Sequence, residues 1–299
     1  MLLDGLKKIL CENKIFTDFP MAKYTSFKIG GLADFFILPD SLAEIAGIVN
    51  FCKKNEVQLI LLGRATNVLV SDKGIHGVVM SLANFNKINL PGDCKIIAEA
   101  GAPLVSIANA AEKNGLAGIE FAHGIPGTAG GAVNMNAGAY GRSMSDVCIS
   151  VDIFTNERII ETVSANKMDF DYRTSCFQND NTIILSTVFQ LQPGNREQIK
   201  NEISELNKKR RQSQPLDYPS AGSIFKRPRD YFAGKLIEDS NLKGYSVGGA
   251  QVSQKHAGFI INNGHATADD VKKLINHITE TVYKNYGVLL ETEIKFLGE

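Results

Sequence analysis

Residues 124 to 138 read Gly-Ile-Pro-Gly-Thr-Ala-Gly-Gly-Ala-Val-Asn-Met-Asn-Ala-Gly, and no other stretch of the chain restricts its fold so strongly. Five glycines and one proline leave little side-chain bulk. Glycine admits positive φ and lets another body approach the backbone closely. Successive exposed N–H groups in such a run form an anion-binding nest, which suits a large phosphate-bearing ligand. The spacing G-x-x-G-x-x-G-G is neither the dinucleotide fingerprint nor a Walker A loop. Taken alone, the run fits two readings equally: a phosphorylated cofactor held by other means, or a packed glycine-rich turn between strands.

The 299 residues suffice for two or three domains. Hydrophobic content of 44% and charged content of 21% are ordinary for a globular protein. Formal net charge is +0, so neither nucleic acid nor an anionic membrane is expected as a partner. An anionic ligand then needs local Lys and Arg clusters. Cys11, Cys52, Cys94, Cys148 and Cys176 are odd in number and lack a C-x-x-C pair. Buried free thiols in a reducing, cytoplasmic setting are expected, with no zinc site. No secretory signal and no run long enough to span a bilayer is found.

Periodicity and punctuation predict an α+β chain. Ser41 to Glu44 reads as a capping box ahead of a helix carrying Leu42, Ile45, Ile48, Val49 and Cys52, with Asn55 as its stop. Val57 to Leu62 reads as a buried strand, Gly63 to Asn67 as an exposed loop, and Val68 to Val70 as a further strand. Gly74, Gly77 and Val78 to Met80 suggest another turn and strand. A strand over Ile96 to Ala100 leads to a helix over Leu104 to Asn114, stopped by Gly115. Val147 to Phe154 and Thr182 to Leu191 are further strands. After a boundary at Pro193-Gly194, a polar helix covers Glu197 to Arg211, with Ile199, Ile203 and Leu206 as its apolar stripe. Thr267 caps a helix whose apolar face is Val271, Leu274, Ile275, Ile278, Val282, Tyr283 and Tyr286; Gly287 ends it, and a closing strand is expected over Val288 to Leu297.

Four segments, in order, carry a resemblance: Leu62-Gly63-Arg64-Ala65-Thr66-Asn67; Gly118 to Phe121 leading through Gly124-Ile125-Pro126-Gly127-Thr128 and Gly130-Gly131-Ala132-Val133 to Asn136-Ala137-Gly138-Ala139-Tyr140-Gly141; Asp171-Tyr172-Arg173-Thr174-Ser175; and Ser220 to Pro228, completed by Leu290 to Lys295. Together they resemble the UDP-N-acetylenolpyruvoylglucosamine reductase family. The resemblance implies a two-subdomain FAD-binding domain of the vanillyl-alcohol-oxidase (PCMH) type over residues 1–194, split near 75–85. Residues 195–299 would form an α+β substrate-binding domain. It implies NADPH-dependent reduction of an enolpyruvyl double bond on a UDP-sugar, with noncovalent FAD, in peptidoglycan precursor synthesis. No inserted loop is found between Tyr140 and Arg173, so the chain resembles the second, shorter type, which lacks the substrate-closing Tyr loop. A single-chain working unit is expected.

The chemistry that the resemblance implies needs a hydride at the terminal vinyl carbon, positive charge at the carboxylate and a proton at the alpha carbon. Arg173 suits the carboxylate because a guanidinium is permanently charged and can grip it in two places; a surface ion pair with Asp169 or Asp171 is the alternative. Ser223 matches the family's proton donor, and otherwise reads as a turn serine after Gly222. Glu293 matches the third catalytic position, where an adjacent substrate carboxylate would raise its pKa. FAD would lie along Leu62 to Asn67 and Gly124 to Gly138, with His123 as a lining or core residue. Lys226, Arg227, Lys243 and His256 are the candidate substrate contacts, against the alternative of solvated surface; for Lys255 surface is preferred. No metal ligand set is found. Two rivals remain at this point: another flavin oxidase on the same fold, and a noncatalytic nucleotide-sugar binding module.

Overall fold

The computed structural model describes residues 2–155, 160–178 and 182–298. The chain divides into two compact units, each discontinuous in sequence. The first comprises Met1–Phe16, Phe36–Arg64 and Val78–Arg210; the second comprises Thr17–Phe35, Ala65–Gly77 and Arg211–Glu299.

The first unit is built on a five-stranded antiparallel sheet, in the order Ile160–Ser164, Cys148–Phe154, Ile183–Gln190, Lys95–Glu99, Ile88–Gly92. Strand Ile183–Gln190 is central and largely buried, which its apolar alternation explains. Helix Leu104–Lys113 buries Leu104, Ile107, Ala108 and Ala111, the stripe its 3.6-residue period specifies, and Asn114 caps it before Gly115 at φ +62°. Helix Leu42–Lys54 starts at Ser41, whose hydroxyl accepts the Glu44 N–H. The expected return bond is displaced by one residue, since the Glu44 carboxylate takes the N–H of Asp40.

Two expectations need correction here. The apolar run after that helix forms a strand only over Leu59–Leu62, and Leu61 is exposed. It pairs in parallel with Val78 to Ser81, but hydrophobicity alone did not report which faces are covered. Among the five free cysteines only Cys52 and Cys148 are buried, and Cys11 is exposed. Burial pushes the Cys52 thiol up to about 11 and that of Cys148 up to about 12.

The second unit holds a four-stranded antiparallel sheet in the order Ser220–Ser223, Phe259–Asn262, Ala250–Val252, Ser246–Val247. Helices Ala233–Asp239 and Ala268–Tyr286 supply Leu236, Ile237, Val271, Leu274 and Ile278 to its core. Each such buried aliphatic side chain contributes about 1.5–3 kcal/mol. Thr267 and Asp270 form a reciprocal capping box, and Gly287 at φ +69° closes the helix. The apolar face stops at Val282: Tyr283 and Tyr286 are exposed, because the final turn runs past the core. The closing strand is shorter than expected, covering Lys295–Leu297 in a parallel pair with Val68–Val70. Before it, Thr292 makes a single antiparallel bridge with Phe225.

Candidate active site

The first of the sequence-predicted cofactor residues lie at the end of strand Leu59–Leu62, where Leu62 is buried and Gly63 and Arg64 follow. A Cβ on Gly63 would lie 2.8 Å from Thr128 Oγ1, so close packing of these two segments requires glycine there. Ala65, Thr66 and Asn67 belong to the second unit. Ala65 is buried at φ +49° and its carbonyl accepts the Ser26 N–H.

The glycine-rich run is part helix. His123 and Gly124 form a turn closed by the Ile125 N–H on Ala122 O, Thr128 is the N-cap, and Ala129–Asn134 is a short helix containing Gly130, Gly131 and Ala132. Its Gly130 N–H donates to Ala100 O at 2.9 Å, and a Cβ on Gly130 would meet Ala100 Cβ at 2.9 Å. Contact with the sheet, rather than with a ligand, therefore explains Gly130. Gly127 and Gly131 are different, since a Cβ there would meet nothing nearer than 3.9 and 3.5 Å. Among the described residues, the N–H groups of Gly127, Thr128 and Gly131 have no protein acceptor. Gly127 is half-covered and Thr128 buried, so their amides call for an acceptor, whereas Gly131 is exposed and its amide is open to solvent.

The run ends at Asn136, Ala137 and Gly138. Buried Asn136, at φ +41°, donates to Asp171 O at 3.0 Å and accepts the Ser145 N–H at 3.0 Å. Those bonds bring the 171–174 turn to the run. Arg173, at φ +57°, places its Nη2 3.1 Å from Gly138 O, and its guanidinium lies over the Tyr172 ring at 5.3 Å. The structure thus brings Arg173 to the end of the glycine-rich run. Part of the stretch between Tyr140 and Arg173, residues 156–159, lies outside the described residues.

In the second unit, Ser223 ends its strand after Gly222 at φ +79°. Ser220 pairs with Ile261 and Ser223 with Phe259, so three steps on one strand oppose two on the other. Such a bulge re-aims the side chain beyond it. Ser223 Oγ lies 3.3 Å from Phe225 O. The carbonyl of the next residue, Ile224, accepts the Glu293 N–H at 2.8 Å. Ser223 and Glu293 therefore sit on bonded neighbouring segments.

The four substrate candidates share this unit with different surroundings. Lys226 pairs with Glu291 at 3.3 Å and Lys243 with Glu238 at 2.7 Å. Arg227 stacks over Phe232 at 4.0 Å. His256 is half-buried; its Nδ1 accepts the Gly258 N–H at 3.1 Å and its ring meets Phe259 edge-on. Burial, with the Lys243 charge, pushes its pKa below the ordinary imidazole value. Sequence reasoning missed Asn207 and Arg210, which bond to His123 and Gly124. Among the described residues no group of three or more His, Cys, Asp or Glu side chains could hold a metal, and no helix is long and apolar enough to cross a membrane.

Comparison with known proteins identifies the family. A family model described as "FAD binding domain" matches residues 33–163, and one described as "UDP-N-acetylenolpyruvoylglucosamine reductase, C-terminal domain" matches residues 214–297. The reductase of that name from Caldanaerobacter subterraneus subsp. tengcongensis is 50% identical over 299 residues, covering 100% of this chain and 99% of the relative. That from Clostridium novyi is 47% identical, over 98% of this chain and 95% of its own length. The crystal structure of the Thermus caldophilus MurB reductase aligns with a TM-score of 0.81 and 29% identity, over 95% of this chain and 98% of that one. A Phl p 4 glucose oxidase variant, 14% identical with a TM-score of 0.50 over 65% of this chain and 44% of its own, shares the fold alone. The α+β architecture is accordingly that of the PCMH-type flavoproteins with a C-terminal domain added. With half of its residues matched along its whole length, the chain belongs to the UDP-N-acetylenolpyruvoylglucosamine reductase family.

Proposed function

We propose that the chain is a UDP-N-acetylmuramate dehydrogenase, reducing the enolpyruvyl double bond of UDP-N-acetylglucosamine enolpyruvate with NADPH in peptidoglycan precursor synthesis. The observation that carries this reading is full-length identity of 50% to a reductase of that name. The bonded placement of Ser223 and Glu293 on adjoining segments supports it. Residues 1–194 hold FAD and residues 195–299 hold the UDP-sugar. When bound, FAD supplies the hydride that NADPH provides.

The chain's own residues bind, orient and move a proton. The free N–H groups of Gly127, Thr128 and Gly131 take the cofactor pyrophosphate. Arg173 holds the substrate carboxylate, where negative charge accumulates as the terminal vinyl carbon accepts hydride. Ser223 Oγ gives its proton to the alpha carbon, a strong base at that moment. Glu293 assists at the carboxylate or restores the serine proton. Lys226, Arg227, Lys243 and His256 contact the sugar nucleotide; Lys226 and Lys243 exchange their present carboxylate partners for phosphate.

Ser223→Ala tests the assignment. Rapid mixing should find reduction of the flavin by NADPH unchanged. The substrate-dependent return of flavin absorbance should slow by about 10²-fold or more. Equal loss in both half-reactions contradicts the role given to Ser223.

A further inference from the structure

One turn of helix Arg196–Ser213 grips both ends of the glycine-rich run. Ile199 and Ile203 form the buried stripe of this helix, and Leu206, Asn207 and Arg210 continue it at helical spacing. Asn207 Nδ2 lies 3.0 Å from His123 Nδ1, and His123 Nε2 lies 3.2 Å from Asn109 Oδ1 on helix Leu104–Lys113. An amide donor on one side and an amide oxygen on the other assign the neutral Nε2–H imidazole. Arg210 Nη1 donates to Gly124 O. A Cβ on Gly124 would come within 3.2 Å of Arg210 Cδ and 3.3 Å of Asn207 Oδ1, so the missing side chain is what lets the helix close on the run. Beyond the far end, Tyr140 Oη donates to Leu206 O at 2.9 Å.

We infer that Asn207 and His123 are a positioning pair that, with Arg210 and Tyr140, pre-sets residues 124–138 for FAD. The inference rests on the proposal that FAD lies along this run. A run with five glycines loses much conformational freedom when it binds a ligand, and fixing its ends beforehand lowers that cost. The two hydrogen bonds engage both ring nitrogens of His123: the lone pair on Nδ1 accepts from Asn207, and Nε2–H donates to Asn109. The role is therefore to hold shape, and it is exerted on the cofactor through backbone that the four side chains never leave.

The test is FAD affinity of the full-length apoprotein, read by flavin fluorescence. Asn207→Leu and His123→Ala should each weaken binding about 5- to 10-fold, as expected for one lost hydrogen bond. The double variant should be no weaker than the worse single one, because the two remove the same bond. Tyr140→Phe, which deletes only a hydroxyl, should weaken binding about 3-fold. Unchanged affinity in folded Asn207→Leu and Tyr140→Phe proteins overturns the inference. Multiplicative effects of Asn207→Leu and His123→Ala overturn the pairing. Gly127→Ala separates the two levels: a Cβ there meets nothing nearer than Leu104 Cδ1 at 3.9 Å, an ordinary van der Waals contact, so the variant should fold yet bind FAD more weakly. Undiminished binding there removes the placement of FAD on the run, and the inference with it.

Discussion

The side-chain amide of Asn67 donates to the main-chain carbonyl of Glu293 at 3.1 Å, and the Asn67 carbonyl accepts the Lys295 N–H at 3.0 Å. The last residue of one proposed flavin segment thus fixes the backbone of the proposed acid. Asn67→Ala should lower stability by about 1 kcal/mol, seen as a lower denaturant midpoint at constant slope. Asn67→Asp keeps the shape and loses the donor, so it should be at least as harmful. A neutral effect of Asn67→Asp on stability and turnover contradicts the link.

Glu293 is given a role in proton supply, so its removal should change the pH dependence of turnover and not the amplitude alone. Glu293→Gln should lower kcat by about 10²-fold and abolish one limb of the pH–rate profile. A lowered rate with the wild-type profile shape contradicts an acid–base role.

Gly130 faces the sheet at a distance that no real Cβ tolerates, 2.9 Å from Ala100 Cβ. Gly130→Ala should therefore destabilise the first unit by about 1–3 kcal/mol through overpacking. Gly131→Ala, in more open surroundings, should leave unfolding nearly unchanged. Equal melting of the two variants contradicts the assignment of different reasons to adjacent glycines.

The buried thiols make a chemical and a thermodynamic prediction. Maleimide at neutral pH should label Cys11 quickly and spare Cys52 and Cys148 until the protein unfolds, since their values of about 11 and about 12 leave almost no thiolate. Both folded values stand above the ordinary 9.0. The unfolded chain therefore releases these protons first as pH rises, and stability falls from about pH 9 upward. Rapid modification of Cys148 in the native protein contradicts its burial.

Much of this architecture was legible because its signals are local. Thr267, Asp270 and Gly287 sit within or beside the helix they delimit, and the stripe Leu104, Ile107, Ala108 and Ala111 states its own period. What failed depended on distant chain. Leu61 is as apolar as Leu62, yet only neighbours elsewhere decide which is covered. Tyr283 and Tyr286 keep helical phase after the core has ended. The candidate site divides likewise. Ser223 and Glu293 became candidates through motifs, and the structure places them on bonded segments, whereas Asn207 reads as solvated surface on a polar helix until its partner, 84 positions away, is known. Likewise the motif residue Gly130 owes its identity to Ala100, a packing cause that no motif states.

The most direct test of the account is anaerobic reduction of the FAD-loaded protein by NADPH, followed by one equivalent of UDP-N-acetylglucosamine enolpyruvate. Flavin absorbance should return fully without oxygen, with an equal amount of the lactyl ether, UDP-N-acetylmuramate, formed. Flavin that stays bleached until air is admitted, with the enolpyruvyl compound recovered intact, contradicts it.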